Sequence, residues 1–230
     1  MKAALLSQLN EARAKKRPVV LTTLLQEGTQ TLLRPDRLGD GAIAEVARKA
    51  LRLDAACTVE TADGLLFVQP FNPPLRLMIV GAVHIAQCLS TMAQLAGYAV
   101  KVVDPRGAFA RASRFPGVDV STDWPDEALQ GALLDARTAV VTLTHDPKLD
   151  DPALDVALKS EAFYIGSLGS RRTHAARLQR LQELGHSAVA CARIHGPVGL
   201  AIGAKSPAEI AVCILAEITQ RLRQPQVPTP

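Results

Sequence analysis

Residues 75–104, LRLMIVGAVHIAQCLSTMAQLAGYAVKVVD, decide the fold. An apolar run ends at Gly81, a segment rich in Ala, Leu and Met reaches Gly97, and a second apolar run stops at Asp104. This is the order of strand, tight turn, helix and strand found in dinucleotide-binding units. The stretch therefore predicts the first strands of a parallel sheet covered by helices.

The turn of this unit lacks one of its usual glycines. In the pattern Gly-x-Gly-x-x-Gly or Ala, the middle glycine lets the backbone approach a pyrophosphate, and the last small residue lets helix and strand pack closely. The three positions here are Gly81, Val83 and Ala86. Because a β-branched side chain stands where phosphates need bare backbone, the pattern predicts a Rossmann-like fold and disfavours NAD(P) as the ligand.

Composition excludes several classes of protein. The chain of 230 residues is 48% hydrophobic and 21% charged, as in ordinary globular proteins. A net charge of +4 without long blocks of one sign predicts no nucleic-acid partner. No apolar run approaches the roughly 20 residues of a membrane span, and the N-terminus lacks the pattern of a secretion signal, so we expect a cytoplasmic location. Four cysteines without a Cys-x-x-Cys pair predict neither structural zinc nor a disulfide framework.

Residues 1–72 differ from the rest of the chain and predict a small α+β subdomain. The expected elements are a helix over 2–15, a strand from Pro18, a helix over 43–53 and a hairpin turning at 62–64, where Asp-Gly favours a tight turn. The segment 72–74, Asn-Pro-Pro, reads as a linker. No constellation of catalytic residues is apparent in this part.

Residues 75–223 alternate between strand and helix patterns, which predicts right-handed βαβ units and a Rossmann-like domain, followed by a tail at 224–230. The predicted strands are residues 76–80, 99–103, 118–120, 138–144 and 162–166, and the predicted helices are residues 84–96, 126–135, 152–159, 171–184 and 207–222. Asp151 followed by Pro152 predicts the start of one helix, and Ser206 with Glu209 predicts a capping box at the start of the last.

Three loops should meet at the ligand edge of this sheet. Ligands bind beyond the carboxyl ends of parallel strands, where the strand order reverses. If the first three strands run in one direction and the fourth lies on the other side of the first, the crevice lies between Gly81–His84 and Thr144–Asp146. We call these the first and second loops. The third loop, Gly166–Arg172, follows the next strand.

The third loop predicts an anion site. A glycine-containing turn that opens a helix at Ser170 presents free N–H groups and the positive helix end. Arg171 and Arg172 oppose the helix dipole, so anion binding explains them better than helix stability does. They belong to the densest basic cluster of the chain, with Arg177 and Arg180, which suits a small anion better than a duplex. The alternative is ion pairing with acidic residues, for which Asp146, Asp150 and Asp151 are the candidates.

Other polar residues near these loops have two interpretations each. Asp104, about 20 residues beyond the glycine turn, either binds ribose hydroxyls or caps the turn at Pro105. His84 and His145 either hydrogen-bond a ligand, donate a proton or cap a loop. No serine or cysteine forms a convincing nucleophile pair with either histidine, so no catalytic residue is predicted. Residues 193–211 contain three glycines and two prolines before a strong helix, which indicates a shaped loop.

Five longer motifs add a family resemblance. In chain order they are GAVHIA at 81–86, VVDPR at 102–106, LTHDPKLDDPAL at 143–154, YIGSLGSRRTHAARL at 164–178 and IHGPVGLAIGAKSPAEIA at 194–211. Over residues 75–223 the chain resembles the XdhC/CoxI family, accessory proteins that bind molybdenum cofactor and help deliver it to enzymes of the xanthine dehydrogenase type. The resemblance implies a cofactor chaperone rather than an enzyme.

The resemblance also implies which residues hold the cofactor. Ser170, Arg171 and Arg172 would take the phosphate of molybdopterin or of its cytidine dinucleotide form, and Asp104 or His145 would bind polar edges. The remaining candidate cofactor-binding residues are Gly81, Ala82, Val83, His84, Arg106, Thr144, Asp146, Gly166, Gly169, His195 and Gly196. The implied partner is a molybdoenzyme of the xanthine dehydrogenase type, with a cysteine desulfurase and a second copy of the chain as further candidates.

The N-terminal part departs from the family pattern. Many longer relatives carry a glycine-rich segment with a Gly-Gly-Cys element, whereas this chain contains no Gly-Gly pair. Cys57, in a strand-like run, is not an obvious substitute. Two other hypotheses remain: an NAD(P)-dependent oxidoreductase, motivated by the glycine turn and Asp104, and a nucleotide-sensing Rossmann module without chemistry.

Overall fold

The computed structural model describes residues 2–224. The chain divides between Pro73 and Pro74 into two compact units, residues 1–73 and 74–230. The tail predicted at 224–230 lies outside the described residues except for its first residue. Among the described residues, no helix is both long enough and apolar enough to cross a membrane.

The first unit is a small α+β fold, as the sequence predicts. Its elements are α1 (Ala3–Ala14), β1 (Val19–Leu24), β2 (Thr29–Leu33), α2 (Ala42–Leu53), β3 (Cys57–Thr61) and β4 (Gly64–Phe71). The four strands form an antiparallel sheet in the order β2-β1-β4-β3. Ala47 and Ala50 of α2 pack on Val20 and Val68 of the sheet. Strand β2, with its half-exposed polar residues, is absent from the prediction.

The second unit is a Rossmann-like parallel sheet covered by helices. Its elements are β5 (Arg76–Val80), α3 (His84–Leu95), β6 (Ala99–Val103), β7 (Asp119–Ser121), α4 (Pro125–Gly131), β8 (Thr138–Thr142), α5 (Pro147–Leu158), β9 (Tyr164–Ser167), α6 (Arg171–Glu183), α7 (Ala188–Cys191), β10 (Ile194–His195) and α8 (Pro207–Arg223). The strand order is β10-β9-β8-β5-β6-β7, and every pairing is parallel. The predicted reversal between β5 and β8 is confirmed.

The central strands are apolar on both faces because helices cover both sides of the sheet. Side chains alternate along β5, so Leu77 and Ile79 enter a core shared with α3 and α8. Met78 and Val80 enter a second core shared with α4 and α5. Two separate hydrophobic cores therefore fix the sheet, and its carboxyl edge is left to the loops.

One predicted helix start is wrong. Helix α5 begins at Pro147 rather than at Pro152, because the Asp146 carboxylate accepts a hydrogen bond from Lys148 N at 3.0 Å and caps the helix. Pro152 lies inside the helix, where it removes only the bond to the carbonyl of the exposed Lys148. The same Asp-Pro signal occurs twice, five positions apart, and the first copy starts the helix. The capping box predicted at Ser206 is confirmed.

Candidate functional site

The first and second loops touch at the point where the strand order reverses. Gly81 has a φ of +106°, and a Cβ atom at this position would lie 2.7 Å from Thr144 Cγ2 and 3.2 Å from Thr144 N. Only glycine fits there, both for its backbone conformation and for the close approach of the second loop. The candidate residues Gly81 and Thr144 are thus brought together as neighbours.

The peptide of Ala82 is held by a buried carboxylate. Ala82 N donates to Asp104 Oδ2 at 2.8 Å, and Arg106 donates to Asp104 through its backbone N, Nε and Nη2 at 3.0, 2.9 and 2.8 Å. Asp104 is fully buried. Burial raises the pKa of Asp104, but the hydrogen bonds from Arg106 and Ala82 outweigh it and leave the pKa below the ordinary value. Of the two interpretations of Asp104, this geometry corresponds to capping of the turn at Pro105.

Arg114 holds the other side of the same peptide and is missing from the sequence prediction. Its Nη1 donates to Ala82 O at 2.8 Å and to Phe109 O at 2.7 Å, and its Nη2 lies 3.3 Å from Gln87 Oε1. The Ala82 N–H and C=O are therefore both occupied by the protein itself. No sequence signal marks Arg114, because its partner is 32 residues away, with helix α3 and strand β6 between them.

Hydrogen bonds within the second loop and to α5 fix its conformation. Thr144 Oγ1 donates to Asp150 Oδ1 at 2.7 Å, and Asp146 N donates to Thr144 Oγ1 at 3.1 Å. His145, between them, is exposed and has a φ of +63°. The loop thus presents the His145 imidazole to solvent from a rigid turn. His84, also exposed, occupies the first position of α3 after the half-buried Val83.

The third loop opens α6 with free donors. Ser170 Oγ accepts a hydrogen bond from Thr173 N at 3.1 Å, whereas the N–H groups of Arg171 and Arg172 have no acceptor within the helix. Gly169 has a φ of +148°, and a Cβ there would lie 3.2 Å from Thr173 Cβ. The sequence prediction of a glycine turn leading into a Ser170-capped helix agrees with this geometry.

The predicted basic cluster separates into three environments. Arg171 and Arg172 are exposed and form no ion pair within residues 2–224. Arg177 is 2% exposed, and Arg180 pairs with Asp151. The cluster is therefore not one anion site, because residues six and nine positions along a helix point in other directions than its first turn. The alternative that Arg171 and Arg172 pair with nearby aspartates is wrong, because Asp150 and Asp151 face Arg177 and Arg180 instead, and Asp146 caps α5.

The far edge of the sheet contains a second hydrogen-bonded group. His195 Nδ1 lies 3.0 Å from Glu217 Oε1, and the imidazole stacks on the Tyr164 ring with centroids 4.8 Å apart. Glu217 Oε2 accepts from Tyr164 Oη at 2.6 Å and from Gly199 N at 2.7 Å. Burial raises the pKa of Glu217, but the bonds from His195, Tyr164 and Gly199 bring it below the ordinary value. An acidic residue within the apolar last helix is the signal that could have revealed Glu217.

Two further candidate glycines lie against side chains rather than open space. A Cβ at Gly196 would overlap the His174 ring of α6, and one at Gly166 would lie 2.6 Å from Val198 Cγ2. Gly166 and Gly196 therefore permit close packing around β9 and β10. Within residues 2–224 no group of three His, Cys, Asp or Glu side chains could hold a metal ion.

These features define a class: a Rossmann-like domain in whose first turn side chains bind the Ala82 peptide and whose α6 begins with two exposed arginines. Residues 77–218 match the family model described as the XdhC Rossmann domain. The match spans more than half of the chain, and the protein belongs to the XdhC family.

Two similar proteins are informative. The chain is 36% identical over 155 residues to the Molybdenum cofactor insertion chaperone PaoD of Escherichia coli, covering 67% of this chain and 42% of that protein. It is 35% identical over 156 residues to a probable xanthine dehydrogenase subunit of Bacillus subtilis, covering 67% of this chain and 45% of that one. It therefore spans less than half the length of these relatives.

The fold also matches a solved structure over nearly the whole chain. This is the crystal structure of a xanthine dehydrogenase from Bacillus halodurans at 2.80 Å resolution, with a TM-score of 0.71 and 25% sequence identity. The match covers 99% of this chain and 66% of that chain.

Proposed function

We propose that this protein binds molybdenum cofactor as cargo at the carboxyl edge of its parallel sheet and delivers it to a molybdoenzyme of the xanthine dehydrogenase type. One observation carries the proposal: in a domain of the XdhC family, α6 begins with free N–H groups beside two exposed arginines without ion-pair partners in the described chain. The printed name of the Escherichia coli relative, a molybdenum cofactor insertion chaperone, supports it.

The chemistry of the cargo fits this edge. The phosphate of molybdopterin is an anion, and the N–H groups of Arg171 and Arg172 together with their guanidinium groups are donors suited to it. The exposed imidazoles of His84 and His145 can donate to or accept from the polar edges of a pterin. A carrier needs to bind and release its cargo, so it requires a crevice and no nucleophile.

The NAD(P) hypothesis has less support. A dinucleotide needs free N–H groups at the first loop, but the Ala82 N–H already donates to Asp104. The carboxylate that would accept ribose hydroxyls is buried and bonded to Arg106. The nucleotide-sensing hypothesis has no observation of its own in its favour.

The test is to purify the chain under anaerobic conditions from a host that makes the cofactor and from a host that cannot. We expect molybdenum and a pterin to be released on denaturation of the first preparation only. The mass of the released pterin distinguishes molybdopterin from its cytidine dinucleotide form. Absence of both from the first preparation, together with no uptake of added cofactor, would overturn the proposal.

The finer partner assignments are also proposals. Transfer to a client is tested by adding the loaded protein to a cofactor-free enzyme of the xanthine dehydrogenase type and measuring recovered activity. Binding to a cysteine desulfurase and self-association are tested by sedimentation of the purified components. The cytoplasmic location likewise stays a prediction.

A further inference from the structure

Arg177 and Asp150 form a buried pair below the second and third loops. Arg177, on α6, and Asp150, on α5, are 2% and 1% exposed. Arg177 Nη2 lies 3.8 Å from Asp150 Oδ2, which is long for an ion pair. Asp150 Oδ2 and Arg177 Nε and Nη1 have no hydrogen-bond partner within the described residues. The pair is therefore fully desolvated and incompletely satisfied.

Fold stability alone does not account for such a pair. Removing two charges from water costs more than a long ion pair returns, and apolar residues of similar size often stabilise a core as well or better. Burial raises the pKa of Asp150, opposed by the hydrogen bond from Thr144 and by the charge of Arg177. Burial lowers the pKa of Arg177, although a guanidinium stays protonated in proteins.

Each member of the pair holds a different loop. Asp150 Oδ1 accepts from Thr144 Oγ1 at 2.7 Å and so fixes the second loop. Arg177 Nη2 donates to Leu168 O at 2.8 Å, and it lies 3.7 Å from the position of a Cβ on Gly169, so it fixes the third loop. The two loops follow adjacent strands, β8 and β9, and the pair bridges them from below.

We propose that Asp150 and Arg177 are a positioning pair that couples the second and third loops, so that these two loops keep one relative geometry at the carboxyl edge of the sheet. Neither side chain reaches the crevice surface, and both act through the backbone and hydroxyl groups they hold. The consequence for ligand affinity rests on the proposed function, whereas the coupling of the loops does not.

A second pair between the same two helices provides a matched control. Arg180 Nε and Nη2 lie 2.5 and 3.0 Å from the two carboxylate oxygens of Asp151. This bidentate pair joins α5 to α6 as the buried pair does, but it contacts neither loop. Variants of Arg180 and Asp151 therefore weaken the same helix contact without touching the proposed coupling.

The test is hydrogen–deuterium exchange of the full chain, comparing R177M and D150N with R180M and D151N. Arg177 contacts only the third loop, so R177M should raise exchange about tenfold at Asp146 N of the second loop as well as at Leu168 N of the third. D150N, although Asp150 contacts only the second loop, should likewise raise exchange at Leu168 N of the third. The control variants should leave exchange at both amides at the wild-type rate.

Two outcomes would overturn the coupling of the two loops. Faster exchange confined to the loop that the mutated residue contacts would overturn the coupling. Equal acceleration in the buried-pair and control variants, spread over the sheet, would also overturn it, because that result reports global stability. If R177M does not fold, D150N decides: faster exchange at Leu168 N in D150N supports the coupling, and a wild-type rate there overturns it.

Ligand binding adds a separate readout. If the wild type binds the cofactor, R177M should bind it about tenfold more weakly and R180M equally well. Equal binding by R177M would remove the functional consequence. If the wild type binds no cofactor, the proposed function fails, while the exchange comparison still tests the coupling of the loops.

Discussion

The first and third loops show opposite uses of one structural unit. Each follows a parallel strand and opens a helix at the carboxyl edge of the sheet. In the first loop, Asp104 and Arg114 occupy the N–H and C=O of Ala82, and Val83 provides no side-chain cap. In the third loop, Ser170 caps the helix while the arginines that follow remain exposed.

The difference teaches where an anion can bind. The fold normally receives phosphate at the helix that follows the first strand, but here Asp104 and Arg114 already bind the Ala82 peptide that precedes this helix. The exposed arginines lie after β9, two strands from β5 in the sheet, or about 10 Å away at the usual strand spacing. The Rossmann-like fold is thus retained, but the exposed positive charges follow β9 rather than β5.

Removing the Asp104 carboxylate from the first loop should have the largest effect, on the free energy of unfolding. D104N removes the charge that binds Arg106 and replaces one of the two accepting carboxylate oxygens by an NH2 group, so it leaves buried donors without full partners. We expect a loss of about 3 kcal/mol in the free energy of unfolding. Chemical denaturation of D104N against wild type measures it, with D119N as control for an exposed carboxylate that pairs with Lys101. A loss no greater than that of D119N would mean that the first loop is not held by Asp104.

The same variant makes a pH prediction. The folded-state pKa of Asp104 is lowered, so its ionised form stabilises the fold above the unfolded value of about 3.9. That contribution disappears as the pH falls through the lower folded value. The difference in unfolding free energy between wild type and D104N should therefore be constant near neutral pH and shrink below about pH 4. A difference independent of pH would contradict an ionised Asp104.

Removing the charges of the third loop should have the next largest effect, on binding alone. R171A combined with R172A removes two exposed guanidinium groups without ion-pair partners in the described chain, so the melting temperature should hardly change. Cofactor affinity should fall by about 2 kcal/mol, or roughly 30-fold. The double variant R13A and K49A removes the same charge from exposed helix positions in residues 1–73 and controls for net charge. Unchanged affinity beside a lower melting temperature would assign the arginines to stability instead.

The smallest effect is expected from V83G, which tests whether the first loop can bind NAD. V83G restores the missing glycine, but the Ala82 N–H stays bonded to Asp104. We therefore expect no measurable NAD binding by calorimetry, with a Kd above about 1 mM. Micromolar binding by V83G would show that Val83 alone, and not the closed hydrogen bonds, excludes the dinucleotide.

The fold could be predicted because its signals are local. Apolar runs and helix spacing in residues 75–104 predict a βαβ unit, and alternation of such units predicts the sheet with its reversal between β5 and β8. Helix starts marked by Ser170 and Ser206 are local as well, since a cap and its partner lie three residues apart. The α5 start failed for a local reason too, because two Asp-Pro pairs compete.

The interior of the site could not be predicted because its bonds join distant residues. Arg114 reaches Ala82 across 32 residues, and Glu217 accepts from Tyr164 across 53. Arginine at position 177 gives no sign of being buried, since a basic residue on a polar helix usually faces solvent. The third loop was predictable because its donors belong to its own turn.

Glu217 has a consequence for the shaped loop between β10 and α8. Its carboxylate accepts from Gly199 within that loop and binds His195 just before it, while a Cβ at Gly199 would lie 3.1 Å from the α8 backbone at Cys213. The hydrogen bond to Glu217 thus holds the loop at Gly199 and divides it into two shorter spans. Shorter spans have less conformational entropy to lose when a partner surface orders them. The segment is therefore partly ordered by the protein's own hydrogen bonds.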